Sequence, residues 1–229
     1  MPYALLLAFT AMAGATLLTY LYDRAAIFWA RLCAGVCTGL GALGLIGYAL
    51  VSLLGMTPLA LALAGALTGT PLLLLLKRDW RIRVEADVRQ GLTIVRQALA
   101  PPRWRWSSGA LVFYVVAALL FWFVCDRTMF ENEDGIFTGL DTNLGDLPFH
   151  LAVITGFAYG ENFPPQHPEF AGVSMTYPFV VDFVTALFVR ADASLRSAFV
   201  WQNYAMMLAL TGLLHRWAWL LTRDRAPRC

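Results

Sequence analysis

GALVFYVVAALLFWFVC, residues 109–125, runs for seventeen residues without a charge. Arg103 and Arg105 stand before it and Asp126 directly after it. A helix needs about 20 mostly apolar residues, with a lower limit near 17, to cross the hydrocarbon of a bilayer. The stretch meets that length, and its Phe, Tyr and Trp residues gather toward the ends, where aromatic rings favour the membrane–water boundary. It reads as a transmembrane helix, and the charges on its two sides orient it.

On the amino-terminal side, residues 77–108 hold eight basic residues (Lys77, Arg78, Arg81, Arg83, Arg89, Arg96, Arg103, Arg105) and three acids (Asp79, Glu85, Asp87). On the other side, residues 126–196 hold ten acids and three basic residues. Cytoplasmic loops carry the excess of Lys and Arg, so the first loop is expected inside and the second outside. Within the basic loop, Val84, Val88, Leu92, Val95 and Leu99 recur at helical spacing with charge on the other faces. That pattern predicts an amphipathic helix on the inner leaflet, stopped by Pro101-Pro102. Its basic face suits anionic headgroups and gives no reason to invoke nucleic acid.

Further out, residues 3–22, roughly 32–54 and roughly 56–76 form three more apolar runs. The first lacks the basic start and short apolar core of a cleaved signal peptide, so it is read as a retained span. Gly35 with Gly39, and Gly65 with Gly69, are small-xxx-small pairs that let helix backbones approach where lipid supplies no hydrophobic drive. A last apolar run, residues 197–221, ends in Arg223, Arg225 and Arg228. Residues 178–189 are also apolar, but twelve residues make only ~18 Å of helix, and Asp182 lies among them. They are expected as an interfacial or re-entrant helix on the outer face.

The fold class that follows is an all-α membrane protein of about five spans, amino terminus out and carboxyl terminus in, with short helices on an extracytoplasmic loop. It divides into three helices (1–76), a basic loop (77–108) and a last segment (109–229) of span, acidic loop 126–196 and span. Composition agrees: 59% of the 229 residues are hydrophobic and 14% charged, against about 25% charged in soluble domains. Net charge is only +2. Cys33 and Cys37 lie one turn apart in an apolar run, with no His nearby to complete a zinc site, and read as small packing residues. No phosphate-binding glycine loop, dinucleotide fingerprint or serine elbow occurs.

Polar residues able to do chemistry cluster in the acidic loop. Asp146 and His150 are four apart, on one face of a helix that starts near Leu147. Asp146 suits an N-cap, or equally a base or ion ligand at the membrane boundary. Asp141 is the neighbouring acid. Tyr177-Pro178 precede the short apolar helix, and Asp182 faces either a site or water. Glu131, Glu133 and Asp134 read as a solvated turn, His167 as a loop residue, and Arg216 as a side chain snorkelling to headgroups near His215.

The order of these features resembles the GT-C class, polytopic glycosyltransferases that use polyprenyl-phosphate-linked sugars. It comprises Gly145-Asp146 with His150 four residues on, a short helix, Gly160-Glu161-Asn162-Phe163-Pro164-Pro165, then Tyr177-Pro178 before the next span. The likeness covers residues 109–221. It implies that Asp146 matches the essential loop acid, with His150 beside it and Asp141 as the substitute if the match slips. Tyr177 and Pro178 match its entry to the interfacial helix, and Tyr177 and Asp182 are the candidate substrate contacts. The mechanism implied is inverting transfer from a polyprenyl-phosphate donor at the outer face of a bacterial inner membrane, with Mg²⁺ or Mn²⁺ at Asp146 in some members. The class has more spans after this point, so further transmembrane helices are expected beyond this chain. A non-catalytic scaffold, or a carrier subunit for a lipid-linked intermediate, is the other reading, since glycine-packed helices and an acidic loop suffice for it.

Overall fold

The computed structural model describes residues 1–99, 106–170 and 172–223. Pro101-Pro102, Arg103, Arg105, Ala171, Arg225, Arg228 and Cys229 lie outside them. The described residues form helices α1 (Pro2–Tyr22), α2 (Phe28–Leu54), α3 (Pro58–Gly69), α4 (Arg78–Leu99), α5 (Trp106–Thr128), α6 (Asp146–Tyr159), α7 (Val180–Arg190) and α8 (Leu195–Arg223). A small antiparallel hairpin, β1 (Phe130–Asn132) and β2 (Gly135–Phe137), follows α5. The fold is all-α and membrane-type. Four helical segments are long and apolar enough to cross a bilayer: Pro2–Tyr22, Phe28–Leu54, Pro58–Leu76 and Gly109–Thr128.

The third departs from a plain rod where its sequence dictates. The third segment is α-helical only to Gly69 and continues as a 3₁₀ helix, Thr70–Leu76. Pro71 supplies no N–H and its ring blocks the normal α ladder. The fifth expected span is α8, 29 residues long. Gln202, Asn203, His215 and Arg216 make it less apolar than the four, yet it reaches both ends of the bundle. Arg196 at its start pairs with Asp126 at the end of α5, and Arg216 near its finish pairs with Asp23 after α1. Arg216 therefore forms an ion pair with Asp23, where snorkelling alone was expected.

Glycines set the packing. A Cβ at Gly39 would lie 2.6 Å from the Ala11 carbonyl oxygen, and one at Gly35 would collide with Thr16, so α1 and α2 touch backbone to backbone. Gly65 is similarly tight against Leu7. A second face of α2 does something the spacing did not announce. Gly44 and Gly47 make room for Val180, Val184 and Leu187 of α7.

That helix is the most enclosed part of the molecule. Eight of its eleven residues, Asp182 through Val189, are buried. It is not laid along a surface; α1, α2, α6 and α8 surround it. Its last residue, Arg190, donates to the Met56 carbonyl, and Ala191 accepts from the Ala4 amide. Its start lies deeper, where the Val181 carbonyl accepts from Gln202, seven residues into α8.

The two ends of the bundle differ in charge as expected. Met1, Met56, Asp126, Asp192 and Arg196 meet at the end that carries the acidic loop. At the other end, α4 docks through Asp87 onto Arg31 and Tyr20, and through the Gly91 carbonyl onto the Trp29 indole N–H. Its apolar stripe stays half-buried or exposed, with Leu92 and Leu99 open. The run Glu131, Glu133, Asp134 falls in the hairpin, whose turn is closed by the Asp134 amide donating to Asn132.

Candidate functional site

The residues that build the site come from α6, α7 and the connecting loop. Asp146 is the first residue of α6, and Gly145 holds the cap position without any side-chain cap bond. Capping is therefore not what Asp146 does. Its carboxylate is exposed and makes no hydrogen bond or ion pair among the described residues. One turn on, His150 donates Nδ1–H to the Asp182 carboxylate, at 3.0 Å to Oδ1 and 2.9 Å to Oδ2. The bond to a carboxylate fixes the tautomer, because a carboxylate only accepts.

Asp182 is 3% exposed, and a buried carboxylate is costly unless compensated. Two features compensate it: the His150 bond, and its place in the first turn of α7, where the helix dipole favours negative charge. His150 keeps 28% of its side chain exposed against 5% for Asp182. The hydrogen bond to Asp182 raises the His150 pKa above its ordinary 6.5, burial opposes that, and the charges of Asp182 and Asp146 reinforce it. These interactions favour the imidazolium more than an isolated histidine would, and Asp146 lies one helical turn away.

The connecting loop brings an aromatic wall to this pair. Asn162 ties the loop by donating to the Gln166 carbonyl and accepting from the Gln166 amide. Phe163 anchors it among Tyr48, Phe157 and Phe183. A short bridge, Gln166 to Ser174, closes it. As a result the Tyr177 ring stands 5.1 Å from Phe149 and 5.9 Å from His150, centroid to centroid. His167 also joins the wall, 5.5 Å from Phe149. It is half-buried, not the solvated loop residue its Pro-rich neighbours suggest.

Of the residues singled out, Asp146, His150, Tyr177 and Asp182 come together. Asp141 does not join them. It opens a separate 3₁₀ turn, is exposed, and its carboxylate forms no hydrogen bond or ion pair among the described residues. No group of three or more His, Cys, Asp or Glu side chains gathers among the described residues to hold a metal ion. Asp146 would bring a Mg²⁺ or Mn²⁺ ion too few protein oxygens for a dedicated site. His167 and Phe149 carried no signal of their own, since their role depends on the fold of the loop.

The chain has no significant match among protein-family models, curated proteins or solved structures.

Proposed function

We propose that this chain carries the donor-side site of a membrane glycosyltransferase that moves a sugar from a polyprenyl phosphate to an acceptor at the extracytoplasmic face. The supporting observation is the Asp146–His150–Asp182 arrangement: a carboxylate without a partner among the described residues, one helical turn from a histidine that a buried acid holds in place. The roles divide by charge. Asp146 takes the proton of the acceptor hydroxyl as its oxygen bonds to the anomeric carbon. The bond from that carbon to the phosphate oxygen breaks, and the electron pair leaves with the polyprenyl phosphate. His150, protonated and presenting Nε2–H, is placed to hold that phosphate by a charge-assisted hydrogen bond. Asp182 positions His150, and the Tyr177 and Phe149 rings supply an apolar face for the sugar.

On this reading the acidic-loop end lies outside the cytoplasmic membrane of a bacterium, and the α4 end lies inside. That matches where lipid-linked sugars present their heads, while the prenyl chain stays in hydrocarbon.

The reading is tested by binding. Farnesyl phosphate should raise the thermal midpoint of the detergent-solubilised protein, and farnesol should raise it less. His150→Gln keeps a donor for Asp182 but loses the charge, and should lose the preference for the phosphate. Equal responses to phosphate and alcohol, or an unchanged preference in His150→Gln, would overturn it.

A further inference from the structure

A polar cavity lies at the opposite end of the molecule from the candidate site, between the α1–α2 turn and α4. Its volume is about 760 Å³, and Arg24, Arg31, Arg83 and Asp87 bring charge to its wall. That volume falls within the roughly 300–1,000 Å³ of small-molecule sites.

Arg31 anchors it. Only 4% of Arg31 is exposed, although it stands near the start of a membrane-type helix. Its Nε donates to Asp87 at 3.1 Å, its Nη1 to the Thr19 hydroxyl at 3.3 Å, and its guanidinium lies 4.0 Å from the centre of the Tyr20 ring. Tyr20 in turn donates its hydroxyl to Asp87 at 2.8 Å. These contacts hold the guanidinium plane rigid and engage two of the five N–H donors that an arginine carries. Asp87 balances one positive charge. Arg24 and Arg83 have no acidic partner among the described residues; Arg83 rests on the Trp80 ring. The cavity wall therefore carries an excess of two positive charges.

We infer that this cavity is a binding site for a phosphate-bearing group at the basic end of the bundle, with Arg24 and Arg83 as its ligands and Arg31 as the buried edge of the site. A phosphate oxygen accepts charge-assisted bonds from guanidinium groups, and Arg suits that recognition better than Lys. Leu21, Ala26 and Ile27 line the same cavity, and Leu21 and Ile27 are exposed. Apolar surface beside the charges fits a phosphate attached to an acyl-chain lipid. A free phosphate or pyrophosphate shares the recognition chemistry and lacks the chains. The site is independent of the glycosyl-transfer reading, because none of its residues belongs to α6, α7 or their loop.

Thermal midpoints of the solubilised protein, titrated with dioctanoyl phosphatidylglycerol, dioctanoyl phosphatidylcholine and inorganic pyrophosphate, test it. Phosphatidylglycerol should stabilise the wild type more than phosphatidylcholine does. A response to phosphatidylglycerol that pyrophosphate does not reproduce assigns the site to a lipid headgroup; an equal pyrophosphate response assigns it to free phosphates. Arg24→Gln/Arg83→Gln should weaken the phosphate response by about tenfold or more, since two charge-assisted bonds are lost. Both arginines are exposed and bear no ion pair, so the double variant should fold. A double variant that responds like wild type, or a wild type that treats both lipids alike, would overturn the proposal.

Discussion

His150 and Asp182 are the pair on which the proposed chemistry rests, and they are 32 residues apart in sequence. Asp146 and His150 could be set on one face from spacing alone, because four residues make about one helical turn. The partnership with Asp182 could not, since it depends on how α6 crosses α7. Removing one member of such a pair should expose the cost of the other. His150→Ala leaves a buried carboxylate unpaired and should destabilise the protein by about 3–5 kcal/mol. The His150→Ala/Asp182→Ala double variant should recover much of that loss in a denaturation midpoint. The titration of His150 gives a second check. Its pKa is raised in the folded protein, so its contribution to stability is complete below about 6.5, the unfolded value. It is lost as pH rises through the higher folded value. Histidine ¹⁵N shifts should place the His150 midpoint above 6.5 in the wild type and lower in Asp182→Asn. An unchanged midpoint in that variant would remove Asp182 from the positioning role.

At the scale of elements, the apolar runs were legible because a bilayer demands length and apolarity, and both are visible along one chain. The enclosed position of α7 was half legible. Its length and Asp182 argued against a crossing, but its enclosure by four helices depends on Gly44 and Gly47, whose spacing resembles any helical glycine pair. The hairpin at 130–137 was missed because its charged turn reads equally as a loop. Packing through glycine gives a matched prediction. Gly39→Ala would drive a Cβ to 2.6 Å from the Ala11 carbonyl, so it should lower the thermal midpoint. Gly41→Ala meets nothing within 4 Å and should be neutral or stabilising, by up to about 1 kcal/mol from helix propensity. Similar effects at both positions would mean that α1 and α2 are not in close contact. For α7, single cysteines at Tyr177 and Ser194 should both react with a membrane-impermeant maleimide from the same side. Reaction from opposite sides would make α7 a full crossing.

Across the whole molecule, charge sorts to two ends, and each end is held by its own ion pairs: Arg31–Asp87 and Arg216–Asp23 at one, Arg196–Asp126 at the other. This sorting was legible from the loop composition, whereas the identity of the pairs was not. The candidate reaction site and the basic cavity sit at opposite ends, which lets them be tested separately. At the acidic-loop end, the proposed glycosyl transfer makes Asp146 the base. The direct measurement is consumption of a radiolabelled polyprenyl-phosphate hexose by the full-length protein in membranes, comparing wild type with Asp146→Asn. Asp146 makes no cap bond, so the variant should insert and melt nearly as the wild type does, within the roughly 0.3–1 kcal/mol of a first-turn charge. Its rate of transfer should fall by about 10²–10⁴. Wild-type turnover by Asp146→Asn, and equally by Asp141→Asn, would contradict the proposal.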